Sequence, residues 1–327
     1  MKKRLRKKMT ATQFYHQYVK PTCRVAMDLS PKTIDLDEIA LKYWRRFTGD
    51  PPLKKITRKT VLKFAMGLKT LPGRDGNMAP STQQTRIVHM QTILHLAGPQ
   101  TPDHDMAVGL FKRPLPRIPR PKVVQGDPKM LPMRQIEAWL RACDYAGSPR
   151  LPNIHPPTWW RALILYTYNT GMRIDTIMKS EWAWLDDEGW LSVPAWAYKG
   201  GRMFRRFYVN SFAREAIEVL RDSGYDRIVP WPNYPESDRW LQDRRAWLWK
   251  KAGITDQKGN GFHGLRRTLL NEVAKEDIEV ARVVAGHTRG DVLMEHYVNR
   301  DELISQALDG VRQPFDAEQE TEHRKAA

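Results

Sequence analysis

The chain has 327 residues, which is enough for two domains of ordinary size. Its 54 lysines and arginines outnumber its 37 acidic residues, so the formal net charge is +17. This excess predicts a polyanionic partner, and nucleic acid is favoured over anionic membrane because no apolar run reaches the roughly 18 residues that span a bilayer. Two cysteines, Cys23 and Cys143, provide neither a disulfide framework nor the spacing of a zinc site, which fits a reducing cytosol.

The first part of the chain predicts a basic arm and then a small helical domain. Residues 1–29 begin with six cations and contain no apolar signal core, so we expect an arm that either is solvated or contacts phosphates, and a protein that stays in the cytoplasm. Residues 30–111 contain three stretches with the apolar spacing of helices, and the sequence GDPP at 49–52 ends the first of them. We therefore predict an all-α N-terminal domain over 30–111.

Residues 112–129 are predicted to be an interdomain linker. The sequence KRPLPRIPRPK at 112–122 interleaves four prolines with five cations, which favours an extended, semi-rigid chain. We expect Arg113, Arg117 and Arg120 to lie along a nucleic-acid backbone. The alternative is a solvated spacer.

Residues 130–312 predict a second, mixed domain. Helical patterns include a stretch at 159–169 that is apolar nearly all round, as in a helix buried within a larger core. Strand-like runs at 190–198 and 203–209 flank the sequence Lys199-Gly200-Gly201-Arg202, which is typical of a β-hairpin because glycine tolerates positive φ. The predicted fold class is mostly α with a small antiparallel sheet, and residues 313–327 are expected to form a polar tail.

Three short motifs carry residues suited to phosphate chemistry. The sequence NTGMR at 169–173 places Arg173 just after a glycine turn at the end of the buried helix. His263 and Arg266 are three residues apart at the start of a helical pattern, so their side chains project from one face. His287 follows a glycine between two helical patterns, and Tyr297 comes ten residues later.

In this order the motifs resemble those of the tyrosine recombinase, or phage-integrase, family. The resemblance covers both halves of the chain and implies a helical core-binding (SAM-like) domain at 30–111 and an α+β catalytic domain at 130–312. It also implies a catalytic set. Its members are Arg173, Lys199, His263, Arg266, His287 and Tyr297.

The residue types suit the implied roles. Two guanidiniums are planar, permanently charged forks that match the non-bridging oxygens of a phosphodiester under in-line attack. A tyrosine, with an ordinary pKa near 10, needs a base such as His263 to become a nucleophile. His287 would donate to the phosphate, and Lys199 at a hairpin tip would protonate the leaving oxygen.

Some neighbouring residues extend or modify this pattern. We expect Arg202 and Arg205 beside the hairpin, and Arg267 in the place where a second histidine is common in the family, to contact DNA. A solvated basic strand face is the alternative for the hairpin cations, and a core aromatic is the alternative for Tyr297. The family usually has an acidic residue three positions after the first arginine, where this chain has Thr176, with Asp175 one position earlier.

The resemblance implies a site-specific DNA recombinase that cuts and rejoins strands through a covalent 3'-phosphotyrosyl intermediate, with no metal and no cofactor. Its expected partners are double-stranded DNA and copies of itself, as a tetramer on paired sites, with no membrane; the expected location is the cytoplasm, at the nucleoid. Residues 301–311 predict a short helix that docks on a neighbouring protomer. The alternatives are a type IB topoisomerase-like enzyme and a non-cutting DNA-binding protein of the same fold.

Overall fold

The structure of the protein, a computed structural model, describes residues 8–25, 29–73, 76–101, 106–124, 130–198, 204–255, 261–285 and 300–315. The chain divides into two units, Met1–Gly126 and Asp127–Ala327, each with its own hydrophobic core. Within the described ranges, none of the helices combines the length and apolar character needed to cross a membrane.

The first unit is built from helices. A short helix α1 (Ala11–Phe14) runs directly into a π-helical segment (Tyr15–Arg24). The longer elements that follow are helices α2 (Pro31–Thr48), α3 (Arg58–Lys69) and α4 (Pro80–Leu96), with a 3₁₀ turn (Leu53–Lys55) and a two-residue antiparallel pair, β1 (Pro72–Gly73) with β2 (Gly76–Asn77).

Local sequence explains where α2 begins and ends. The Ser30 hydroxyl accepts from the Thr33 amide, proline occupies the first turn, and Gly49 closes the helix in the left-handed region at φ 72°. Trp44 of α2 packs edge-on against Phe64 of α3, with ring centroids 5.3 Å apart. This contact lies at the centre of the first core.

The N-terminal arm prediction is wrong for residues 8–25. Phe14, Tyr15, Val19 and Cys23 are fully or almost fully buried in the first core, so the segment is part of the folded unit. The buried apolar positions Tyr15, Val19 and Cys23 are four residues apart, so they lie on one side of the segment. Residues 1–7 of the predicted arm, with five of its six cations, and residues 26–28 lie outside the described part of the chain.

The predicted linker is likewise more structured than a spacer. Leu115 and Ile118 are buried in the first core, and the Ile118 amide donates to the Gln91 side chain of α4 at 2.7 Å. Leu115 and Ile118 are three residues apart, which equals the repeat of the polyproline helix that a proline-rich sequence favours. Arg113, Arg117 and Arg120 are exposed, so the described part of the segment is a strap fixed to the first unit.

The second unit combines helices with one β-hairpin. Its α-helices are α5 (Met133–Ala142), α6 (Pro156–Thr170), α7 (Ile174–Ile177), α8 (Ser211–Glu218), α9 (Asp238–Lys251), α10 (Gly261–Glu276), α11 (Ile278–Ala285) and α12 (Arg300–Asp309). The 3₁₀ turns are Cys143–Tyr145, Trp182–Trp184, Ala195–Ala197 and Arg221–Ser223.

The hairpin strands are β3 (Trp190–Val193) and β4 (Arg205–Tyr208), paired antiparallel with Val193 opposite Arg205 and Leu191 opposite Phe207. β3 is shorter than predicted because it ends before Pro194, which lacks the amide needed to continue the ladder. The prediction of a mostly α fold with a small antiparallel sheet is confirmed.

Helix α6 is the central element of the second core. Trp159, Tyr166 and Tyr168 are fully buried, and the Trp159 indole donates to the Pro230 carbonyl at 2.6 Å. This agrees with the all-round apolar pattern of the sequence. A helix held on all sides gives its C-terminal end a fixed position.

The C-terminal segment packs against its own unit. Leu308 and Val311 are buried in the second core, and the Asn169 and Gln313 side-chain amides hydrogen-bond at 2.8 and 3.1 Å. The Tyr168 hydroxyl donates to the Arg312 carbonyl at 2.8 Å. Residues 313–315 are therefore not a free tail, and α12 is docked within its own protomer.

Candidate active site

Arg173 is positioned by the turn that ends α6. Gly171 adopts φ 61°, a left-handed conformation that costs glycine little, and its amide caps the helix on the Thr167 carbonyl at 3.1 Å. A Cβ at this position would lie 2.8 Å from a Leu269 methyl of α10. The turn therefore fixes the direction of Arg173, which is half-buried at the start of α7. It also lets α10 approach the end of α6 closely.

Arg266 connects three parts of the site. It lies on α10, is only 4% exposed, and donates one terminal nitrogen to the Gly171 carbonyl and the other to the Ala285 carbonyl at 2.8 Å. Burial, and then the positive charges of Arg173 and Arg205, lower its pKa to about 10. It is still a cation at neutral pH, and it ties the end of α6 to the end of α11.

His263 lies one turn before Arg266 on α10, at the accessible edge of the site. Partial burial, followed by the charges of Arg267, Arg266 and Arg173, lowers its pKa below the ordinary value. The imidazole is therefore neutral at neutral pH. A neutral imidazole beside two arginines can accept a proton from an approaching hydroxyl.

Arg205 joins the same group of charges from the hairpin. Its guanidinium donates to the Val284 carbonyl at 3.1 Å and lies over the Phe207 ring, 4.5 Å from the centroid. Burial is the main cause that lowers its pKa to about 10; Tyr198 raises the pKa, and Arg173 lowers it further. The alternative of a solvated strand face therefore does not apply to Arg205. Its neighbour Arg206 lies on the opposite face of the strand, against Trp190 and Asp186.

The acidic residue near Arg173 has other partners. Asp175 accepts hydrogen bonds from the Tyr234 hydroxyl at 3.0 Å and the Lys179 ammonium at 2.8 Å, while Thr176 is buried. Among the described residues, backbone carbonyls rather than a carboxylate hold Arg266. Within the described part of the chain, no three His, Cys, Asp or Glu side chains are grouped closely enough to hold a metal ion.

The structure brings together part of the predicted site. Arg173, His263 and Arg266 converge, with Arg205 and Arg267 close enough to shift the pKa values of this group. Arg113, Arg117 and Arg120 belong to the first unit. Lys199, Arg202, His287 and Tyr297 lie outside the described residues, so their positions stay predictions.

Comparison with known proteins adds evidence on the fold. No protein-family model matches the chain, and no curated protein sequence matches it. A lambda integrase dimer bound to a COC' core site has a TM-score of 0.61 at 18% identity, over 87% of this chain and 97% of that one.

Two further solved structures agree with the first. For the Tn1549 transposon integrase in complex with circular intermediate DNA, the TM-score is 0.57 at 13% identity, over 98% of this chain and 100% of that one. For the XerH site-specific recombinase bound to difH substrate, it is 0.56 at 15% identity, over 86% and 79%. The chain has the fold of the tyrosine recombinases and integrases, which confirms the predicted resemblance at the level of the fold.

Proposed function

We propose that the protein is a site-specific DNA recombinase of the integrase type. The observation that carries the proposal is the convergence of Arg173, Arg266 and a neutral His263 on one site, in a chain with the integrase fold. The similar structures are complexes with DNA, and the net charge of +17 suits the same partner. The proposal includes assembly of four copies as a tetramer on paired DNA sites. It also includes a cytoplasmic location in association with the nucleoid.

In the proposed reaction Tyr297 attacks the scissile phosphorus. Its hydroxyl proton passes to His263, a P–O bond forms to the tyrosine, and the bond to the 5' oxygen breaks. Lys199 supplies the proton to that departing oxygen, and His287 donates to the phosphate. The 3'-phosphotyrosyl ester conserves the bond energy, and attack by a 5' hydroxyl of another strand reverses the steps.

The arginines carry the electrostatic part of the mechanism. In-line attack places additional negative charge on the non-bridging oxygens, and preorganised guanidiniums stabilise that charge without reorganising during the reaction. Arg266 is preorganised by two backbone carbonyls, and Arg173 by the Gly171 turn. The proposed reaction requires neither a metal nor a nucleotide cofactor.

Covalent capture tests the proposal. A pool of short duplexes from the source genome, each with a nick near one end of the strand to be cleaved, is incubated with the protein. Cleavage releases a small fragment that carries the departing 5' hydroxyl. Because this fragment diffuses away, the strand cannot be rejoined and the adduct accumulates. We expect a protein–DNA adduct that maps to Tyr297 and is absent in Tyr297→Phe, with DNA affinity retained in that variant.

Other results would assign a different function. Binding without any adduct would indicate a non-cutting DNA-binding protein. An adduct accompanied by relaxation of supercoiled DNA, but with no strand exchange between two captured sites, would indicate a topoisomerase-like enzyme. An adduct that persists in Tyr297→Phe would place the nucleophile elsewhere.

A further inference from the structure

Arg205 faces the interior of the second unit. In the register of the hairpin, Arg205 opposes the buried Val193, and Phe207 on the same face opposes the buried Leu191. Arg206 points the other way because successive strand residues alternate between faces. The two adjacent arginines therefore have different environments, and only one of them is directed towards the candidate site.

The contacts of Arg205 place it beside Arg266. Arg205 donates to the Val284 carbonyl at 3.1 Å, and Arg266 donates to the Ala285 carbonyl at 2.8 Å. These carbonyls belong to the last two residues of α11. Because they are neighbours in one helical turn, the guanidiniums that bind them lie side by side.

The cluster brings three positive charges together, and the Tyr198 phenol favours the charged form of one of them, Arg205. Arg173 contributes to the lowered pKa values of both Arg205 and Arg266, so the three guanidiniums repel one another. Among the described residues, the hydrogen-bond partners of Arg205 and Arg266 are backbone carbonyls, which carry no net charge. Repulsion of this kind is relieved when an anion binds between the cations.

We propose that Arg205 is a third phosphate-binding guanidinium, which contacts a non-bridging oxygen of the scissile phosphodiester together with Arg173 and Arg266. The inference rests on the proposed function and adds a residue that the motifs do not contain. The Phe207 ring and the Val284 carbonyl fix the orientation of Arg205 before DNA arrives. A third cation matches the charge that gathers on the phosphate as the reaction proceeds.

The first test uses inorganic phosphate as the probe and needs no DNA. We expect Arg205→Ala to weaken phosphate binding by about tenfold, as a lost charge-assisted hydrogen bond implies, and Arg173→Ala to have a similar effect. Arg206→Ala, a change of the same type on the outer face of β4, leaves binding unchanged. Equal phosphate affinity in wild type and Arg205→Ala would overturn the proposal.

The second test uses the captured duplex in two forms, with the natural scissile phosphate or with a methyl group in place of one non-bridging oxygen. Removing the negative charge removes what Arg205 is proposed to stabilise. We expect Arg205→Ala to slow cleavage of the natural duplex by about 10²-fold and to have much less effect, relative to wild type, on the methylphosphonate duplex. A penalty of the same size on both duplexes would mean that Arg205 only fastens β4 to α11.

Two controls keep the outcomes separate. Arg205→Lys retains a cation, and hydrogen exchange of β4 and α11 shows whether each variant keeps the local fold. If wild type forms no adduct, the proposed function fails while phosphate binding still decides the role of Arg205. If wild type forms the adduct and Arg205→Ala cleaves at the wild-type rate, the third guanidinium is refuted and the proposed function stands.

Discussion

Both units of the protein bury arginines, and Arg24 of the first unit and Arg266 of the second have opposite kinds of partner. In the first unit Arg24, 5% exposed, forms two hydrogen bonds of 2.8 and 3.1 Å with the fully buried Asp37, which also contacts the His89 ring at 2.7 Å. In the second unit Arg266, 4% exposed, binds only carbonyl oxygens among the described residues and has Arg173 and Arg205 nearby.

The difference separates a structural ion pair from a binding site. A buried cation needs compensation, because leaving water costs far more than a backbone contact returns. Arg24 receives it from Asp37 within the fold. The described hydrogen-bond partners of Arg266 and Arg205 carry no net charge, so an anion from outside would compensate these cations, and a DNA phosphate is the anion that the proposed function provides.

The largest expected effect comes from breaking the internal pair. Arg24→Met leaves the Asp37 carboxylate buried without its main partner, and we expect a loss of about 3–5 kcal/mol of stability in the first unit. Denaturant unfolding of the full chain, with hydrogen exchange in α2 and α4 as the local probe, measures it. The double variant Arg24→Met/Asp37→Leu should recover most of the loss; if it does not, the pair is not the origin of the effect.

The next effect concerns the turn at Gly171. Alanine in a left-handed conformation costs about 1–2 kcal/mol, and the added methyl also meets Leu269. Gly171→Ala is therefore expected to lower stability by that amount and, by moving a carbonyl that holds Arg266, to slow cleavage. Gly49→Ala is the matched control: it has φ 72° at the end of α2 with nothing near its Cβ, so it should lose similar stability and no cleavage. Equal cleavage in both variants would remove the role of the turn in the site.

A smaller effect is expected in the pH profile of cleavage. His263 has to be neutral to accept a proton, and its pKa is lowered, so activity should fall only as the pH drops below the ordinary histidine value of about 6.5. Removing a positive neighbour with Arg267→Gln raises that pKa and moves the acidic limb to higher pH. Arg282→Gln, which removes an arginine paired with Glu279, should leave the limb in place. If the acidic limb of the pH profile stays at the same pH in Arg267→Gln, the proton acceptor is a residue other than His263.

The smallest effect is expected in the salt dependence of DNA binding. The logarithm of the DNA-binding constant falls linearly with the logarithm of the salt concentration. If Arg113, Arg117 and Arg120 each neutralise one phosphate, replacing all three with glutamine makes this negative slope shallower by about 2–3. The exposed position of these arginines on a strap held by Leu115 and Ile118 makes them available without further ordering. Measuring affinity at several salt concentrations decides the point, and an unchanged slope would make the segment a spacer.

Much of the fold could be predicted because local patterns dominate it. The apolar spacing of α2, α3 and α6 is strong, and the glycine pair at 200–201 indicated the hairpin that contains β3 and β4. The motif order also predicted that Arg173 and the His263–Arg266 pair share a site. These predictions were possible because residues close together in the sequence determine both the glycine turn before Arg173 and the helix face shared by His263 and Arg266.

The parts that were not predicted depend on contacts between distant segments. The strap was interpreted from its charge. Its apolar residues Leu115 and Ile118 are three apart, which in a polyproline conformation places both on the same edge, and both are buried. Tyr15, Val19 and Cys23 have a period of four that Pro21 obscures. Arg205 was expected to contact DNA, but its inward direction, opposite to that of Arg206, depends on the register of β4 with β3.

Stabilisation of the scissile phosphate during cleavage is the role proposed for the cluster of Arg173, Arg205 and Arg266. Its most direct test is single-turnover cleavage of the captured duplex by Arg266→Ala at saturating protein, with the bound fraction of DNA measured in the same samples. We expect nearly complete binding and a cleavage rate about 10²–10³-fold below wild type, because the lost interaction is strongest in the transition state. Cleavage at the wild-type rate, with the DNA equally bound, would contradict it.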